Sequence, residues 1–245
     1  MDLLDILIFN KLKNRKGGIT PTGSINITEN GETDVTNYAT ANVNVPLGYK
    51  PATELTYIES DGTQYINLGT IARLGFAVYL DYQFLGFWQY QGSELDASVG
   101  CGEFTNDTRF AVTYRRSGTK FRLAMGVNYD SSVDQDTNRH LFVMDTYKKK
   151  IGVDTSLDNW TEATITPALP FSLFARHISG SEYGEYIYRG PARCYGCKLY
   201  YSDVLLMDLV PAKDENNVVC MFDKVSGTYK YNNGTGSFIA GSPVV

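Results

Sequence analysis

The chain has 245 residues, 43% of them hydrophobic and 20% charged, so it can bury a sizeable core without metal or disulfide staples, and wholesale disorder is excluded. Its formal net charge of −5 has the wrong sign for a broad nucleic-acid-binding surface. No run approaches the roughly 18 consecutive apolar residues that a membrane-spanning helix requires.

Residues 1–18 read as an amphipathic helix. Leu3, Leu4, Leu7, Ile8 and Leu12 recur at helical spacing, and Lys11, Lys13, Arg15 and Lys16 put cations at its C-terminal end, where the helix dipole favours them. Gly17-Gly18 stops it. So short a helix is marginal alone, and its apolar stripe needs a partner. Three readings stand: a helix packed on its own domain, an assembly and attachment element that makes the protein a homo-oligomer, and a membrane-surface helix, which the clustering of the basic residues at one end disfavours. Asp2 and Asp5 occupy the region that is positive in a signal peptide, so no secretion signal is expected. The sequons at Asn26, Asn106, Asn159 and Asn233 are then fortuitous, and the four cysteines are expected as reduced thiols.

Residues 19–47 read as a small β unit or linker. Ile25 and Ile27 alternate with polar residues, Asn30-Gly31 is a hairpin signal, and Val43 and Val45 alternate again. From 48 to 245 the chain shows short runs rich in Tyr, Phe, Val and Ile between Gly, Asn, Asp and Ser turns. Strands are predicted over 55–60, 65–67, 75–85, 109–115, 120–127, 140–145, 149–154, 171–175, 192–201, 206–210, 219–222 and 228–231. That spacing argues an all-β sandwich or jelly roll.

Residues 56–66, TYIESDGTQYI, resemble the opening of concanavalin A-like, laminin-G-like domains of phage and prophage structural proteins. The later segments LPFSLFAR (169–176), ARCYGCKLY (192–200), LVPAKDEN (209–216), FDKVSG (222–227) and GTG (234–236) resemble the same family in the same order. Residues 27–45, ITENGETDVTNYATANVNV, are similar to a short element of tail-associated proteins from phages of Gram-positive hosts. The match is weakest over 86–108, which reads as an insertion. The resemblance implies a concanavalin A-like jelly-roll sandwich over 48–245. It also implies a non-enzymatic virion protein, displayed on the particle and held to other virion proteins through residues 1–47. Such a protein is assembled in the host cytoplasm and has no nucleic-acid or membrane partner. A glycan-binding receptor module, and a head decoration or fibre protein, are the alternatives on the same fold.

Glycoside hydrolases of the laminarinase type share that fold and need two carboxylates about 5–5.5 Å apart. Glu94-Leu95-Asp96 lacks the third acidic position and reads as a loop, so no catalytic residues and no enzyme are expected. Cys194 and Cys197 form a C-x-x-C, but residues three apart in a strand face opposite ways, which opposes metal binding unless a bulge intervenes. No metal or other cofactor is expected. The acidic clusters Asp130, Asp134, Asp136 and Asp154, Asp158 offer the oxygen ligands that calcium takes, and turn-forming roles compete there. His140 reads as a structural histidine opening a strand, and Lys148–Lys150 as a solvated turn. Carbohydrate binding requires aromatic faces beside amides or carboxylates. Trp88, Tyr90, Gln91, Tyr129 and Trp160 have that composition, with core filling by the two tryptophans as the competing role.

Overall fold

The structure, a computed structural model, describes residues 49–102, 109–161, 165, 169–178 and 186–244. They belong to a unit that spans 49–245. The predicted helix with Leu3, Leu4, Leu7, Ile8 and Leu12, and the small β unit of 19–47, lie outside the described residues.

All regular structure among the described residues is β, arranged as a sandwich of antiparallel sheets. The larger sheet has eleven strands. Its spatial order is Ser156–Asn159, Lys150–Val153, His140–Asp145, Phe76–Phe84, Ala192–Tyr201, Val204–Lys213, Val219–Asp223 and Thr228–Lys230. Thr53–Glu54, Ile58–Ser60 and Ile239–Ala240 pair onto it. The second sheet has eight strands. Its main path is Asn128–Asp134, Lys120–Met125, Phe110–Tyr114, Ala97–Cys101, Pro170–Leu173 and Ile66–Ile71. Arg176–His177 runs parallel to Ala97–Cys101, the one departure from antiparallel pairing in that sheet among the described residues, and also pairs with Tyr186–Ile187. A separate hairpin joins Trp88–Tyr90 to Ser93–Leu95.

Period-two alternation builds the core. Phe76, Val78, Leu80, Tyr82 and Phe84 all point inward, none more than 2% exposed. Phe110, Val112, Phe121 and Leu123 of the second sheet are fully buried in the same cluster. Phe76 meets Phe110 edge-on at 5.4 Å, and Phe121 meets Phe142 likewise at 5.1 Å. Such pairs add about 0.5–1.5 kcal/mol beyond their buried area.

His140–Asp145 and Ala192–Tyr201 have the predicted bounds. Three expectations need correction. Residues 97–101, inside the apparent insertion, form a strand buried at every position and paired on both sides. Glu94-Leu95 lies in a strand rather than a loop. The two cysteines of the C-x-x-C share a face: Cys194 pairs with Tyr82 and Gly196 with Asp81, so Tyr195 is an extra residue. That bulge resets the alternation, and Cys194 and Cys197 both enter the core at 0% and 1% exposure. Cys101 and Cys220 are buried as well, and all four thiols are free. Burial pushes the Cys101 and Cys220 thiols up to about 12.

Candidate functional site

The aromatic residues read as a sugar platform do not form one. Trp88 is 3% exposed and packs with Ile178 and Ile187 in a small second core that Tyr90, Leu95 and Tyr188 complete. Trp160 is 5% exposed in the main core, where its indole N–H donates to the Met125 carbonyl at 3.1 Å. Tyr129 packs beside that core, and its hydroxyl donates to Asp158. Gln91 is exposed at the hairpin tip, where it and Gly92 take φ of 47° and 78°. Two successive positive φ values make the tight two-residue turn that matches strand twist. Trp88 and Tyr90 are brought together at 5.0 Å, but a buried indole offers no face to a ring from solvent. Core filling is therefore what both tryptophans do.

The carboxylates of the two acidic clusters have partners within the protein. Asp130 takes two bonds from Arg122, at 2.7 and 2.9 Å. Asp134 pairs with Lys120 at 2.8 Å. Asp154 and Asp136 flank the His140 ring at 2.7 and 2.9 Å. Burial of that ring opposes its charge, but the two carboxylates outweigh burial and raise its pKa above the ordinary 6.5. Among the described residues, no cluster of three or more His, Cys, Asp or Glu side chains converges to hold a metal ion. In the lysine run, Lys148 pairs with Asp203 at 2.7 Å, and Lys150 donates to Asn159 at 2.7 Å.

A different site emerges on the outer face of the eight-stranded sheet. Along 109–115 the inward residues are Phe110, Val112 and Tyr114, so Arg109, Ala111, Thr113 and Arg115 share the outer face. Arg122 lies beside Thr113 in the adjacent strand. Ser98, Ala111, Thr113 and Ala124 are all buried on this side, so the face is covered rather than open to water. Ser98 donates to the Val112 carbonyl at 2.8 Å and shares a hydrogen bond with Thr113 at 3.0 Å. Arg176 comes in from the strand parallel to Ala97–Cys101, only 4% exposed, with its guanidinium stacked 4.3 Å from the Tyr188 ring. Tyr188 holds φ at 58°, a left-handed conformation that costs a bulky residue about 1–3 kcal/mol. Its carbonyl accepts the Ser98 N–H at 2.8 Å, which pins that backbone to the sheet.

These residues line a half-open cavity of about 110 Å³, walled by the four arginines, Thr113, Tyr188 and Asp96. Asp96 is the one carboxylate among the described lining residues, and its Oδ1 accepts the Arg116 backbone N–H at 2.9 Å. Arg109 donates to the Asn128 side-chain carbonyl at 3.0 Å. Burial, with the charge of Arg109 adding to it, brings the Arg176 guanidinium down to about 10. Burial also lowers Arg109, and Arg122 acts in the same direction. The site was legible in part: in a strand over 109–115, period two puts Arg109 and Arg115 on one face. Arg122 and Arg176 join them only through register and through a parallel pairing that no local pattern announces.

No family model matches the chain, and no curated protein matches it. Among solved structures, the fold is similar to that of the "putative carbohydrate binding protein" of Bacteroides ovatus ATCC 8483, with a TM-score of 0.50 at 14% identity. The likeness covers 78% of this chain and spans 62% of that one. At that identity it establishes a shared all-β sandwich.

Proposed function

We propose that residues 48–245 are a non-enzymatic, concanavalin A-like jelly-roll module that binds carbohydrate and serves adhesion. The observation that carries this reading is the covered outer face of the eight-stranded sheet, where polar and cationic side chains converge on a cavity beside Tyr188. Saccharide recognition uses an aromatic ring together with orientation-fixing polar groups around a concave site, and Tyr188 supplies the ring here. The carbohydrate-binding description of the Bacteroides ovatus protein points the same way. A glycan array probed with the full chain tests the reading. Binding to a defined saccharide class that Tyr188→Ala weakens is expected; a blank array, with the protein shown to be folded, overturns it.

The ordered motifs over 56–66, 169–176, 192–200, 209–216 and 222–227 support a second element of the proposal. The module is carried on a phage virion and joined to other virion proteins or sister copies through residues 1–47. Light scattering of the full chain and of a 48–245 truncation tests the assembly role. A defined oligomer that becomes a folded monomer on truncation is expected; the same number of chains per assembly in both removes residues 1–47 as an oligomerisation element.

A further inference from the structure

We propose that the cavity bounded by Arg109, Arg115, Arg122 and Arg176 takes the anionic substituent, carboxylate or sulfate, of an acidic saccharide. The assignment rests on the carbohydrate-binding reading above and gives its ligand a charge class.

Guanidinium groups are costly to gather. Here a single cavity draws four of them together, Arg122 and Arg176 from two strands and Arg109 and Arg115 from the positions that flank Phe110–Tyr114 at its two ends. Arg176 is 4% exposed, so its charge is held in a poorly hydrated place where attraction to an anion is strong. A planar fork of N–H donors matches the oxygens of a carboxylate or sulfate, and such charge-assisted bonds are about twice as strong as neutral ones. The molecule as a whole carries −5, so this positive focus is local and runs against the bulk charge. A general affinity for polyanions is therefore not what the surface offers.

Size narrows the ligand further. A cavity of about 110 Å³ is well below the ~300–1,000 Å³ of sites that engulf a whole small molecule. It fits one charged substituent, with the rest of the saccharide outside. Thr113 supplies a hydroxyl to the same lining, and the strained Tyr188 holds its ring there. Two carboxylates temper the positive charge: Asp96 in the wall, which acts on Arg122 and Arg176, and Asp130, which pairs with Arg115 and Arg122. The dominant sign of the described lining remains positive.

The test is isothermal titration of the full chain with three probes: trigalacturonate, the same trisaccharide fully methyl-esterified, and a sulfated galactotriose. We expect at least one charged probe to bind, at least tenfold more tightly than the ester, and more weakly as sodium chloride is raised. Trigalacturonate binding alone identifies the carboxylate, and binding of the sulfated probe alone identifies the sulfate. Arg109→Gln and Arg115→Gln, both at incompletely buried positions, are each expected to lose about tenfold to a hundredfold in affinity while remaining folded by thermal melt. Arg176→Gln is a stronger version whose folding is checked in the same melt. Equal binding of acid and ester, unchanged in the arginine variants, overturns the charge class and leaves the carbohydrate reading standing. No binding by these probes, together with a blank glycan array, overturns both. Arginine-dependent protection by free sulfate without binding of any saccharide identifies an anion site of another kind and also overturns the proposal.

Discussion

The outer faces of the two sheets treat positive charge in opposite ways. On the eleven-stranded sheet, cations stand in water next to a carboxylate. Arg139 grips Asp81 through two bonds at 2.7 and 2.5 Å, and Arg193 meets Glu59 at 2.6 Å. The same two guanidiniums lie over the rings of Tyr195 and Tyr57, at 4.1 and 4.5 Å. This ladder of pairs is closed on itself. On the eight-stranded sheet, four guanidiniums converge on a cavity whose described lining holds one carboxylate. Arg115 and Arg122 share Asp130, at 3.4 and 2.7 Å. The contrast teaches that the number of arginines says little; what matters is whether the fold spreads them along a face or aims several at one space.

The sharpest way to break the contrast is to unseat the structure beside the cavity. Trp88→Ala removes the largest side chain of the small core next to Tyr188, and a loss of about 3–5 kcal/mol is expected in chemical denaturation. Saccharide binding should fall with it, since Tyr188 would lose its packing partner. A loss below 1 kcal/mol would mean that the small core is not what holds the site.

Next in size is the histidine clip between the strands. His140→Gln removes a ring bonded to Asp154 and Asp136, an expected cost of about 1.5–3 kcal/mol near neutral or mildly acid pH. The folded ring titrates above 6.5, so its stabilisation is complete below 6.5, as long as the carboxylates stay ionised. It fades as pH rises through the folded value. Unfolding free energy followed across that range should slope downward in the native protein and flatten in the variant; parallel curves would refute the clip.

A smaller change sharpens the comparison. Asp130→Asn takes the shared carboxylate from Arg115 and Arg122 at the half-exposed rim, with an expected stability change within about 1 kcal/mol. Affinity for the charged trisaccharide should rise, because both guanidiniums turn fully to the ligand. Weaker binding would show that Asp130 is needed to aim them. Smallest of all, Arg139→Gln on the other sheet should cost about 0.2–1 kcal/mol and leave saccharide binding unchanged.

The sandwich was readable where strands alternate. Lys120–Met125 and Phe76–Phe84 carry inward aromatics and aliphatics at every second residue, and the pattern alone marks them. Ala97–Cys101 escaped because both its faces are buried: Ser98 and Gly100 stand where a half-exposed strand would show charged or polar residues to water. At Gly100 φ is 133°, and a Cβ would meet the Phe110 carbonyl oxygen at 2.3 Å, so the glycine that hides the strand in sequence is what permits the pairing. The bulge at Tyr195 is equally silent, and it turned a predicted two-faced cysteine pair into a buried one. For the site, composition misled. Trp88 and Trp160 look like recognition residues and are core, whereas Arg109, Arg115, Arg122 and Arg176 look like ordinary surface charge and converge.

The four sealed thiols make the molecule its own stopwatch. A thiol reacts as thiolate, and Cys101, Cys194, Cys197 and Cys220 are each both enclosed and raised in pKa. An aromatic disulfide reagent added to the native protein therefore has to wait for the sandwich to open. Cys101 sits in the smaller sheet, and Cys194, Cys197 and Cys220 in the larger. The order in which the four become labelled then reads out which sheet gives way first, without any probe being introduced.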